Sequence, residues 1–128
     1  MTAVKIIEEA QEVAEIRRAR VELAATFRWF ARLGMHESVA NHFSVAVSAD
    51  SRYFLMNPRG IHFSRVRSSD LLLLDIEDKT LLSRPEAPDP TAWFIHEKTR
   101  FLMPRLVPGR PGGRRCLRYL LTGAAAYR

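Results

Sequence analysis

The run Phe43-Ser44-Val45-Ala46-Val47-Ser48-Ala49-Asp50-Ser51-Arg52-Tyr53-Phe54-Leu55-Met56-Asn57-Pro58-Arg59-Gly60 decides the fold. Phe43, Val45 and Val47 alternate with small residues, the period-2 pattern of a strand with one buried face. Asp50-Ser51 is a turn signal, and Tyr53–Met56 then returns as an apolar run. A hairpin is the simplest reading. Asn57-Pro58-Arg59-Gly60 ends it as a loop, punctuated by Pro and Gly.

On the N-terminal side, apolar residues recur at Ile6, Ile7, Ala10, Val13, Ala14, Ile16, Leu23, Ala24, Phe27 and Phe30, with charges between them. This spacing predicts a helix over about 5–33, broken at most once, with Gly34 as its stop. Its aromatic residues Phe27, Trp29 and Phe30 are expected in the core. On the C-terminal side, Ser68-Ser69-Asp70 caps a turn into Leu71-Leu72-Leu73-Leu74-Asp75. Four consecutive leucines suggest a strand buried on both faces, with a short helix as the alternative. A turn at Glu77-Asp78-Lys79 leads to a short strand at Thr80-Leu81-Leu82. Pro85, Pro88 and Pro90 mark a rigid loop, and Asp89-Pro90-Thr91 opens a second helix over about 91–102. Helix, strands, helix gives an α+β or α/β sandwich with a partly antiparallel sheet.

The 128 residues suit one domain. The net charge of +6 is confined to the end of the chain: residues 104–128 hold six arginines and no acid, and the rest is balanced. A basic tail attracts polyanions without specificity, so no specific nucleic-acid function is expected. The single Cys116 excludes an intrachain disulfide and a cysteine-based zinc site. No apolar run reaches the roughly 20 residues of a membrane span. The charged N-terminus is unlike a secretory signal, so the expected compartment is the cytoplasm.

Several short pieces then carry a resemblance. Leu33-Gly34, Val39-Ala40-Asn41-His42-Phe43-Ser44-Val45, Phe54 through Phe63, Ser69-Asp70-Leu71, Asp75, and Asp89 through His96 stand in order at matching spacing. Over about residues 20–103 the chain resembles the class II aldolase/adducin N-terminal family, its adducin-like bacterial members more than its sugar-phosphate aldolases. The resemblance implies an α/β fold, a three-layer α/β/α sandwich with a mostly antiparallel sheet, here truncated on its C-terminal side. It also implies a zinc ion or similar divalent metal that polarises a carbonyl and stabilises an enediolate, in enzymes that cleave or epimerise sugar phosphates and related hydroxy-carbonyl compounds. Such enzymes are usually homotetramers, whereas adducin members act as binding and assembly modules.

By the same resemblance, Asn41-His42-Phe43-Ser44 falls where the aldolases place a Gly-Asn pair on substrate phosphate, with His42 in the place of that Asn. Pro58-Arg59-Gly60 falls on a Pro-Thr-Gly turn whose backbone reaches the phosphate. Gly60 suits close backbone approach, and an Arg59 guanidinium binds oxyanions in bidentate fashion. The plainer reading is that Pro58 and Gly60 only shape a turn. The expected anion site is therefore Asn41, His42, Ser44, Arg59 and Gly60. The family's catalytic Glu falls on Ala92, so a carboxylate for proton transfer is missing. His96 is expected as a core or interface residue.

The four histidines are His36, His42, His62 and His96. None forms the His-x-His pair that the resemblance implies on the next strand, so no metal ligand set and no cofactor is expected in this chain. A weaker alternative gathers His42, His62 and His96, with Glu97, around a metal. Residues 1–103 are read as a partial domain and 104–128 as a weakly ordered tail. That tail, rich in Arg, Gly, Pro and Ala, has the composition of out-of-frame translation from a GC-rich gene; a short paralogue with a basic tail is the alternative. The functional expectation is a domain without catalysis, binding phosphate or another small anion and forming homo-oligomers, with no membrane partner. A non-enzymatic adducin-like binding module is the other reading.

Overall fold

The computed structural model describes residues 3–36, 42–48, 50 and 52–102. Asn41 and the tail from residue 103 lie outside them. One helix, three strands and a second helix follow in order: α1 (Ala3–Arg32), β1 (Ser44–Ala46), β2 (Tyr53–Met56), β3 (Leu72–Asp75) and α2 (Pro90–Leu102). The strands form one antiparallel sheet in the order β1-β2-β3. Val45, Leu55 and Leu73 stand in register on one face. Phe54 and Leu74 stand in register on the other, as do Met56 and Leu72.

Each face of β2 meets its own apolar cluster. Leu55 and Val45 pack with Leu23, Ala24 and Phe27 of α1, joined by Phe43, Phe63, Val66 and Leu71. Phe54, Met56 and Leu74 pack with Ala92 and Trp93 of α2. Helix, sheet and helix are thus three layers, the α/β/α sandwich that the resemblance implied. The first cluster is aromatic at its centre. The Phe27 ring lies 4.6 Å from Phe63 and 5.0 Å from Phe43, and Phe30 meets Phe43 at 4.9 Å. Such tilted and edge-on pairs add to the gain from burial alone.

Helix α1 is one unbroken rod, about 45 Å long at 1.5 Å per residue. It ends where Gly34 was expected to stop it. The Met35 amide donates to the Phe30 carbonyl at 2.9 Å and the Gly34 amide to Ala31 at 3.1 Å. This Schellman pairing needs a left-handed residue, and Gly34 supplies it at φ 69°. Arginines tie the helix down: Arg20 donates to the Leu71 carbonyl, and Arg28 to Val66 at 3.2 Å. Helix α2 begins with Asp89, whose carboxylate accepts the Ala92 amide at 3.1 Å, and with Pro90 in the first helical position. None of the described helices is long and apolar enough to cross a membrane.

Three expectations are corrected. Trp29 is 59% exposed, because at 100° per residue it lies about 200° around the helix from the fully buried Phe27. Leu71–Leu74 is not buried on both faces. Strand β3 is the edge of the described sheet, and Leu73 is 41% exposed on the α1 side. Residues Lys79–Ser83 form a 3-10 turn rather than a strand. The Asp78 carboxylate accepts from the Thr80 amide at 3.0 Å and its hydroxyl at 2.6 Å, curling the chain before it can extend. Leu81 and Leu82 still pack on the α2-side cluster.

The packing predicts unequal effects of truncating two neighbouring aromatics. Phe27→Ala should lower unfolding free energy in urea by about 3–5 kcal/mol, and Trp29→Ala by no more than about 1 kcal/mol. Acid should also destabilise the sheet edge. Arg52 grips Asp75 through Nε at 3.0 Å and Nη2 at 2.7 Å, which holds the Asp75 carboxyl below its usual range. Arg67 does the same for Asp70. A depressed carboxyl stabilises the fold above its unfolded pKa, about 4, and loses that effect as pH falls through the lower folded value. Melting temperature should therefore fall as the pH drops below about 4. Asp75→Asn should flatten that fall.

Candidate anion site at the end of the hairpin

The β1–β2 register opposes Ser44 to Met56, so residues 42–43 and 57–58 leave the sheet at the same end. Asn57 links them. Its Oδ1 accepts the Phe43 amide and its Nδ2 donates to the Pro58 carbonyl, both at 3.4 Å. The Arg59 amide then donates to the Ala87 carbonyl at 3.2 Å, tying the turn to the loop before α2. Gly60 turns the chain in the left-handed region at φ 81°, a conformation a β-carbon disfavours.

Of the expected anion-site residues, the described four fall into two groups. His42 and Ser44 are buried, as is Asn57. Arg59 and Gly60 are exposed. Two loops far apart in sequence are thus joined, but only Arg59 and Gly60 present themselves to solvent. By its sequence alone Asn57 is only a loop residue. Its role as the clasp between the two loops depends on the hairpin register.

Ala92, in the position expected for a catalytic carboxylate, is fully buried among Phe54, Met56, Leu74 and Trp93. The surroundings are apolar, and the Trp93 indole Nε1 itself finds no hydrogen-bond acceptor among the described residues.

The histidines take separate places. His62 caps the 3-10 turn Phe63–Arg65, its Nδ1 accepting the Ser64 amide at 3.2 Å. In a neutral ring this puts the proton on Nε2, which donates to His36 Nδ1 at 3.2 Å. The His36–His62 pair spans 26 residues, and no sequence signal marks it. Glu97 lies 4.0 Å from Lys79. Among the described residues no three of His, Cys, Asp or Glu come together. The grouping of His42, His62, His96 and Glu97 includes the His96 side chain, which lies outside the described residues.

Comparisons with known proteins agree with this architecture. Residues 21–99 match the family described as the class II aldolase and adducin N-terminal domain. A protein of Caulobacter vibrioides named as an aldolase class 2 protein is 32% identical over 79 residues, 62% of this chain and 31% of that protein. A similarly named protein of Pseudomonas aeruginosa is 33% identical over 88 residues, 69% of this chain and 34% of that protein. Among solved structures, L-fuculose 1-phosphate aldolase from Glaciozyma antarctica superposes with a TM-score of 0.60 at 27% identity, over 73% of this chain and 39% of that one. An aldolase II superfamily protein from Pseudomonas syringae gives 0.59 at 25% identity, over 70% and 36%. The chain belongs to the class II aldolase and adducin N-terminal domain family. It spans about a third of the length of the curated relatives it matches.

The buried setting of Ala92 can be tested directly. Ala92→Glu should destabilise the fold by about 3 kcal/mol or more, because a carboxylate would enter an apolar cluster without a partner. The penalty should shrink as pH is lowered and the buried acid takes up a proton. A variant as stable as the parent at neutral pH would show that this position opens to solvent.

Proposed function

We propose that this chain is a class II aldolase-type domain that binds a phosphate or similar small anion at the Arg59–Gly60 turn and has no complete catalytic centre of its own. The observation that carries the reading is Ala92. The resemblance puts the proton-transfer carboxylate there, and the residue is a methyl group sealed in an apolar cluster. Proton transfer at a carbon beside a carbonyl needs a base within hydrogen-bond reach of that proton. A methyl group offers none. Loss of such a group costs orders of magnitude in rate.

The anion reading draws on chemistry that does remain. A guanidinium offers a planar fork of donors that matches two oxygens of a phosphate. The Gly60 amide lies in the same turn, with no side chain to block approach. The structural relative named for L-fuculose 1-phosphate carries its substrate class in its name, and a phosphorylated sugar is the ligand class inferred here. His42, Ser44 and Asn57 have a supporting role: they hold the two strand ends in register beneath the turn.

Two measurements test the proposal. Titration of the protein with inorganic phosphate and L-fuculose 1-phosphate should show saturable binding, and Arg59→Ala should weaken it by about tenfold, the loss of one charge-assisted contact. Unchanged affinity would remove Arg59 from the site. Cleavage of L-fuculose 1-phosphate should stay at background with added zinc, manganese or cobalt. Metal-dependent turnover would overturn the catalytic half of the reading and leave the binding half standing.

A further inference from the structure

The outward face of α1 carries side chains that the fold itself does not use. Ala25, Arg28, Trp29 and Arg32 are spaced i, i+3, i+4 and i+7, so they share one side of the helix, away from the buried Phe27. All four are exposed. Tryptophan is highly buried on average, yet Trp29 is 59% exposed. His62 and Ser64, from the turn that follows the hairpin, close the other side, and together these residues line an open pocket of about 540 Å³. That volume falls within the range of small-molecule sites, roughly 300–1,000 Å³.

The pocket is positively charged and no carboxylate lines it. Arg28 donates through Nε to the Val66 carbonyl at 3.2 Å, which ties its side chain down and leaves its terminal nitrogens out of any hydrogen bond among the described residues. Asp70 feels the Arg28 charge, but its carboxylate is already held by Arg67 at 3.1 and 3.2 Å. The Arg32 guanidinium has no hydrogen bond or ion pair among the described residues. Two cations at i and i+4 repel one another. The negative end of the helix eases that repulsion at Arg32. An oxyanion shared by the two guanidiniums would remove it and add charge-assisted hydrogen bonds. Beside this charge lies apolar surface. Ala25, one turn before Trp29, is too small to cover the indole. His62 has both ring nitrogens engaged, by Ser64 and by His36, and so forms a wall fixed in place.

We infer that this pocket binds an aromatic oxyanion, a small planar ring bearing a carboxylate or a phosphate. Arg28 and Arg32 hold the charge, and the ring lies on Trp29. None of these residues belongs to the Arg59–Gly60 turn, so the inference does not rest on the anion site there. A ligand this small should bind with a dissociation constant on the order of a millimolar.

Naphthoate and phenyl phosphate, each titrated to about 10 mM into the full chain and followed by heteronuclear NMR, test it. The two tryptophans give two indole N–H signals. Both probes should move the Trp29 signal saturably and leave that of the buried Trp93 in place, which also reports that the fold is intact. Arg32→Ala should weaken binding by about tenfold. Trp29→Ala, read at the Ser64 amide, should weaken it at least about fivefold, the loss of a stacking surface. Arg59→Ala should leave it unchanged. Inorganic phosphate, which has no ring, should move the Trp29 signal far less than phenyl phosphate does. Binding of one probe alone would support the inference for that oxyanion. No shift from either probe, unchanged affinity in Arg32→Ala or Trp29→Ala, loss of binding in Arg59→Ala, or inorganic phosphate binding as well as phenyl phosphate would each overturn it.

Discussion

Everything in this domain hangs on the burial of both faces of β2. Leu55 faces α1 while Phe54 and Met56 face α2, and all three are fully buried. A strand in that position cannot shift its register by one residue without exchanging the two clusters. Its neighbours inherit the constraint. Strand β1 is fixed through Val45 opposite Leu55, and β3 through Leu74 opposite Phe54. The two helices dock on the faces that β2 presents, and each is held by large side chains, Phe27 on one side and Trp93 on the other.

The same constraint builds the candidate site. Because Ser44 must oppose Met56, the chain segments on either side of the hairpin end together, and Asn57 can bridge them through the Phe43 amide. The Arg59–Gly60 turn that follows is exposed at the surface. The site is a consequence of strand register rather than of the loops' own preferences. Ala92, where the resemblance implies a carboxylate, lies in the α2-side cluster against β2, where an uncharged methyl packs well.

Much of this was legible in the residues. The alternation from Phe43 to Val47, the apolar return at Tyr53–Met56 and the turn residues between them specify the hairpin through local preference alone. Gly34 ends α1 and Asp89-Pro90 starts α2 because capping is local chemistry. Where the readings went astray, a side-chain or tertiary effect overrode the pattern. Trp29 follows Phe27 too closely to share its helix face. Leu73 is apolar but sits on an edge strand, 41% exposed. Thr80-Leu81-Leu82 has the composition of a strand, but the Asp78 carboxylate takes the Thr80 amide and hydroxyl first.

The sequence alone determined the hairpin, the two helices, the family, and the absence of a carboxylate at residue 92, because each depends on residue type at a known place in the chain. Only the tertiary structure decided which residues share a surroundings. It buried His42 and Ser44, exposed Arg59, paired His36 with His62 across 26 residues, and left Val13 uncovered. Those facts depend on where layers begin and end in space. An amino acid's own chemistry fixes how it can interact, but its neighbours are set by the packing of segments distant in the chain.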